Sequence, residues 1–108
     1  MSVLISPITS ETLRLLAAAI KTGRLRRRWT INDLATRVGV SHPTIIKVER
    51  GDPSVAVGTM LEAATLVGVP LFDPDPDTRA RHLDRLRTEL ALLPKAARQP
   101  SVEPDDDF

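Results

Sequence analysis

Few side chains in this sequence could take part in bond-making chemistry. The 108 residues contain two histidines, His42 and His82, and no cysteine. Ser41 directly precedes His42, but neighbours in sequence do not face each other on a helix, so they cannot work as nucleophile and base. His82 and Asp84 stand two apart, which is poor spacing for one helical face. A closed zinc site would have to draw on carboxylates of no evident placement, and no glycine-rich phosphate loop occurs. The expectation is a chain that is not an enzyme, with no metal and no cofactor. What remains is recognition chemistry. His42, Pro43, Thr44 and Lys47 bring together a ring with two tautomers, a hydroxyl, a methyl and a cation.

Those four residues need an element to present them, and the stretch from Thr30 to Gly51 supplies it. Ile31, Leu34, Ala35 and Val38 recur at helical spacing and form one inward stripe. Thr30 stands where an N-cap should be, with Asp33 in the place of the usual capping-box glutamate. Gly39 ends this helix in the left-handed conformation that glycine enters without strain. Val40 follows as an apolar plug beneath the turn. Ser41 caps a second helix that buries Ile45 and Val48 and turns His42, Pro43, Thr44 and Lys47 outward. Helix, short glycine turn, helix is the layout that lays its second helix in the DNA major groove.

The remaining chain is read around this unit. Residues 1–9 are short and apolar, broken by Pro7, and are expected to form an extended arm or a strand packed in a dimer. Ser10 is expected to cap a first helix, with Glu11 near its positive end and Leu13, Leu16, Ala17 and Ile20 facing inward. Gly23 falls within that helix or marks a bend, and Leu25 and Trp29 carry on its apolar positions. A fourth helix is expected near residues 57–67, with Met60, Leu61, Ala64, Leu66 and Val67 as core candidates. Gly68 should end it, and Val69, Leu71 and Phe72 should close the core. A proline-broken acidic stretch at 73–77 then marks a boundary. Beyond it Leu83, Leu86, Leu90 and Leu93 repeat at three and four residues along a further helix. This seam could pack back on the domain, but a dimer contact is favoured. Residues 95–108, low in hydrophobicity and acidic at the end, are expected to be disordered when free. The resulting organisation is an arm at 1–9, a helix-turn-helix domain at 10–72, a C-terminal helix at 73–94 and a tail at 95–108.

Charge is distributed unevenly although the whole chain carries only +1. Residues 24–50 hold seven basic side chains against two acidic ones, whereas residues 73–108 hold six against nine. A basic motif followed by an acidic end suits a polyanionic partner at the first and something else at the second. No stretch approaches the ~18 apolar residues of a membrane span, and the N-terminus lacks the pattern of a signal peptide. A cytoplasmic protein with no membrane partner is expected.

The pattern formed by Arg24, Arg27, Trp29, Thr30, Leu34, Ala35, Gly39, Val40, Ser41, Ile45, Val48, Glu49 and Gly51 resembles the Cro and lambda-repressor type of helix-turn-helix regulator (the Xre family) over roughly residues 13–72. The resemblance implies an all-α fold, a compact bundle of about five helices around a central helix-turn-helix. It implies base contacts from His42, Pro43, Thr44 and Lys47. Lysine can donate to the O6 and N7 acceptors of guanine, and the Thr44 methyl could meet thymine. Arg28, Thr30, Ser41 and Arg50 flank the motif as phosphate ligands, since hydroxyls and helix N-termini position a duplex without reading it. Arg24 and Glu49 occupy positions where such repressors commonly form a structural ion pair between the first and third helices. The glutamine that often follows the position of Thr30 is replaced by Ile31, so its phosphate contact is missing or supplied otherwise. Trp29 falls at a core position rather than a stacking one.

Within that family, Glu49-Arg50-Gly51-Asp52-Pro53-Ser54-Val55 with Gly58-Thr59 resembles the HipB-like antitoxins that pair with HipA-like kinase toxins. This resemblance implies a homodimer that binds inverted repeats of double-stranded DNA in its own promoter, with recognition helices about one DNA turn apart. It further implies direct binding of a HipA-like kinase toxin. The alternatives are a stand-alone phage-type repressor, and a protein-interaction module that keeps the helix-turn-helix as scaffold.

Overall fold

The computed structural model describes residues 4–94 and divides the chain into two units at Leu71 and Phe72. The protein is all-α. In the first unit α1 spans Pro7–Arg26, α2 Ile31–Val38, α3 His42–Arg50 and α4 Val57–Leu66; in the second, α5 spans Pro76–Leu92. The residues expected to form a tail lie outside the described residues.

The first helix starts earlier than the sequence led us to expect. Ser6, not Ser10, is the N-cap, and its hydroxyl accepts from the Thr9 N–H at 3.2 Å. Pro7 is no interruption, because it occupies the first helical position. There its preset φ fits the helix and its missing N–H would have had no partner anyway. Ser10 sits inside the helix, where its hydroxyl accepts from Arg14 Nη1 at 2.7 Å. Glu11 therefore lies past the first turn, which contains no acid. The expected arm thus contributes its last three residues to α1.

α1 packs on α3 and α4, and α2 packs on the same two helices. Their shared core is Ala17 and Ile20 from α1, Leu34 and Ala35 from α2, Ile45 and Val48 from α3, and Met60, Ala63, Ala64 and Val67 from α4 and its end. Ile20, Leu34, Ile45 and Val48 are fully buried, each stabilising the fold by about 1.5–3 kcal/mol. With three alanines from α1 and α4 in so small a core, the helices must approach closely. Gly23 is where they do. A Cβ built there would lie 2.6 Å from the Val67 carbonyl oxygen and 2.8 Å from its Cβ. Arg27 fastens the same junction by donating from Nη1 to the Val67 carbonyl at 2.6 Å.

The end of α4 explains another departure. The Gly68 N–H donates to Thr65 O and the Val69 N–H to Ala64 O, the paired bonds of a Schellman motif. That motif brings one apolar residue back onto the helix, and Val69 fills the role, packed against the core. Leu71 and Phe72 follow Pro70 outward and are exposed, Phe72 by 74%. They do not close the core; Val67 and Ala63 do. Leu25 and Leu61, also expected to face inward, are exposed.

α5 begins at Pro76 behind an Asp75 cap whose side chain accepts from the Asp77 N–H. It has no buried residue. Arg79 Nη1 donates to the carbonyls of Asp73 and Pro74, holding the preceding turn against the helix. No described helix is long and apolar enough to cross a membrane.

Candidate nucleic-acid interface

The candidate surface is built at the junction of α2 and α3. Thr30 and Asp33 close a reciprocal capping box: the Thr30 hydroxyl accepts from the Asp33 N–H at 3.0 Å, and the Asp33 carboxylate from the Thr30 N–H at 2.8 Å. The Thr30 N–H first, then the Thr30 hydroxyl and nearby Arg37, hold the Asp33 carboxyl below its ordinary pKa against an opposing desolvation. α2 stops at Gly39, whose φ of 86° is left-handed. The Gly39 and Val40 N–H groups both donate to Ala35 O, turning the chain within two residues. Ser41 then caps α3 through its hydroxyl, which accepts from the Thr44 N–H, and Pro43 lies in the first turn.

With Ile45 and Val48 drawn into the core, α3 turns His42, Pro43, Ile46, Lys47 and Arg50 to solvent. Their spacing of one, four, five and eight residues from His42 places them along one helical face. Thr44 sits half-buried at its edge, with its hydroxyl 2.9 Å from Ser41 Oγ. Ile46 is an exposed apolar residue that sequence reasoning passed over. Its position four residues after His42 was the available signal. A branched aliphatic group there could meet a thymine methyl.

A second missed residue is Asn32, in the first turn of α2. Its Oδ1 lies 2.6 Å from His42 Nδ1 in the first turn of α3. This contact joins the N-terminal turns of the two helices, and with them the N-cap hydroxyls of Thr30 and Ser41. N–H groups at helix N-termini lack internal partners and carry the positive end of the helix dipole, so two adjoining termini favour an anion.

The basic side chains divide by what holds them. Arg24 donates from Nε to Glu49 Oε2 at 2.6 Å and from Nη2 to Oε1 at 3.1 Å, while Nη1 donates to Trp29 O at 2.8 Å. Both partners are withdrawn from solvent, with side-chain exposures of 8% and 7%. The pair ties the end of α1 to the end of α3. Trp29 is half-buried against the core, and the guanidinium of Arg37 lies 4.1 Å from its ring centroid, that of Arg27 5.7 Å. Arg28 takes a left-handed φ of 60° just after α1. Arg28 and Lys47 have no side-chain hydrogen bond or ion pair among the described residues. Arg50 reaches Asp52 at 3.5 Å. Asp52 is bound more closely by Ser54, whose hydroxyl and N–H both donate to Oδ1 and lower its pKa.

Leu83, Leu86 and Leu90 lie on α5 and Leu93 just past it, all exposed. Leu83 and Leu86 help line a mainly apolar cleft of about 280 Å³ with Phe72, Asp73, Thr78, Arg79 and His82. Among the described residues no group of three His, Cys, Asp or Glu side chains could hold a metal ion.

A family model described as helix-turn-helix matches residues 20–73, half of the chain. No curated protein and no solved structure matches it.

Proposed function

The chain belongs to the helix-turn-helix family, a motif of DNA-binding transcriptional regulators, and on that premise we propose that it is a sequence-specific autorepressor of the HipB-like antitoxin kind. α3 enters the major groove and offers His42, Pro43, Thr44 and Lys47 to base edges. Arg28, Thr30, Ser41 and Arg50 grip the flanking phosphates. Two copies related by a twofold axis read an inverted repeat. The observation that carries this reading is the exposed face of α3, with Lys47 and Arg50 on it, beside two joined helix N-termini.

Base reading and phosphate grip call for different residues, and this surface holds both. Lys47 donates to guanine acceptors and the Thr44 methyl packs on thymine, so they discriminate sequence. Arg28 and Arg50 neutralise phosphates, so they supply affinity that falls with salt. A kinase-like toxin would be held by a different part of the chain. The observation favouring a protein partner is α5, which keeps a row of leucines in solvent beside an apolar cleft. A stand-alone repressor would use the same row for self-association only.

Fluorescence anisotropy of the purified chain with DNA from immediately upstream of its own gene, against a scrambled duplex and across a salt series, tests the reading. Preference for its own promoter, with affinity falling steeply in salt, is expected. Equal weak binding to both duplexes would reject it in favour of an interaction module. Replacing Leu83, Leu86 and Leu90 with serine tests the assignment of a toxin to α5: toxin capture should fall while the helix-turn-helix domain stays folded.

A further inference from the structure

Building on the DNA-reading function, we propose that Asn32 is a positioning residue that fixes the tautomer of His42, so that His42 selects an adenine or cytosine. The side-chain oxygen of Asn32 lies 2.6 Å from His42 Nδ1. A carboxamide oxygen can only accept, so this contact is a hydrogen bond when Nδ1 carries the proton. In the neutral ring the lone pair then sits on Nε2. His42 is exposed at the first position of α3, where side chains of a recognition helix meet base edges.

An acceptor at that point discriminates among bases. In the major groove the donors are the N6 amino group of adenine and the N4 amino group of cytosine. Guanine N7 and O6 and thymine O4 are acceptors, and each would set lone pair against lone pair. Without Asn32 the ring could take either tautomer and accept or donate as the base required, so specificity would be lost. Asn32 thus needs no contact with DNA to influence which base is read. Its fixed geometry comes from α2, whose capping box at Thr30 and Asp33 holds the turn on which Asn32 stands.

Two measurements on the full-length chain test this. The first is ¹⁵N–¹H correlation of the imidazole nitrogens in the free protein at a pH where the rings are neutral, with His82→Gln used to assign the signals. Nδ1 should show the protonated, pyrrole-like shift and Nε2 the pyridine-like one, and Asn32→Ala should abolish that bias. The second is selection from a random duplex library. The native chain should enrich adenine or cytosine at one position in each half-site, and Asn32→Ala should weaken that preference on the order of tenfold, as for one lost base-edge contact. In Asn32→Asp the acceptor remains and a negative charge is added, which favours the imidazolium form; both nitrogens then donate, and the preference should move to guanine. Asn32 and His42 are exposed, and thermal melts would verify that the variants stay folded. An Nε2–H tautomer in the native protein would overturn the proposal. So would enrichment of the same base by all three chains. If the native chain enriches no sequence, the DNA-reading function fails and base selection by His42 fails with it, whereas the tautomer result would show separately whether Asn32 orders the ring.

Discussion

Replacing Glu49 with alanine should cost this domain much of its stability. The carboxylate accepts two guanidinium bonds at 2.6 and 3.1 Å from Arg24, and both side chains are more than nine-tenths withdrawn from solvent. Solvent screening is therefore weak, and removing one partner leaves a buried charge uncompensated, a loss of about 3–5 kcal/mol. Arg24 keeps its bond to the Trp29 carbonyl, which argues for the lower end, about 3 kcal/mol. At about 4–8 °C per kcal/mol for a domain of this size, the thermal midpoint should fall by about 12–24 °C. Removing both charges is a different perturbation. Arg24→Met combined with Glu49→Leu gives up the attraction and the desolvation cost together, so it should recover most of the loss. Circular dichroism melts of the native chain, Arg24→Met, Glu49→Leu and the double variant would complete a double-mutant cycle, with Glu49→Ala beside them. A Glu49→Ala midpoint within about 3 °C of native, below the shift for 1 kcal/mol, would refute this account. A double variant no more stable than the single ones would show that the site depends on its charges rather than on filled volume.

Three other perturbations separate competing effects. Gly23→Ala gains up to about 1 kcal/mol of helix propensity, but its Cβ meets the Val67 carbonyl at 2.6 Å; the clash costs about 1–3 kcal/mol and should outweigh that gain, and a raised midpoint in scanning fluorimetry would contradict the packing. Arg28→Gly relieves a left-handed φ of 60° and should stabilise by about 0.5–1 kcal/mol. The same change should reduce the slope of log affinity against log salt by about 0.9 per protomer, with Arg28→Lys keeping the slope, and an unchanged slope would remove Arg28 from the phosphate contacts. Thr30→Ala opens the capping box and should cost about 1 kcal/mol at neutral pH. The Thr30 N–H, which alanine keeps, and then the Thr30 hydroxyl, which it lacks, depress the Asp33 pKa below 3.8, so that carboxylate's contribution is present above 3.8 and lost as pH falls through the lower folded value. Acid unfolding of Thr30→Ala should accordingly begin at higher pH than in the native chain, and coincident acid limbs would exclude the coupling.

The helix-turn-helix was legible because its signals are local. Thr30, Asp33, Gly39 and Ser41 act on backbone groups no more than four residues away, and the inward positions follow from helical spacing. Where one residue type serves two purposes, the reading failed. Pro7 reads as a breaker, yet a proline that breaks a helix interior also suits its first position. Leu71 and Phe72 read as core residues on apolarity, but apolar character alone does not distinguish burial from exposure. Ala63 is fully buried but unmarked in the sequence, since an alanine between Glu62 and Ala64 adds little to the periodic signal. Asn32 escaped because its partner lies across the turn, ten residues away. Only the relative placement of two helix starts reveals such a pair.

The charges show why recognition and stability cannot be separated by counting residues. Residues 24–50 carry seven basic groups, but Arg24 spends its charge on Glu49 and adds nothing to the field that a polyanion meets. Arg27 keeps its charge while its Nη1 is committed to Val67 O, and Arg37 lies over Trp29. Their positions are set by the fold rather than by a ligand. Lys47, two residues before Glu49 on α3, is placed by the same ion pair, because that pair fixes where α3 ends against α1. A change at Arg24 would therefore alter DNA binding through the angle of α3, although the side chain is buried and cannot touch a duplex. Loss of binding in such a variant identifies a contact residue only if the midpoint is unchanged, which is why each binding measurement on this surface needs a melt beside it.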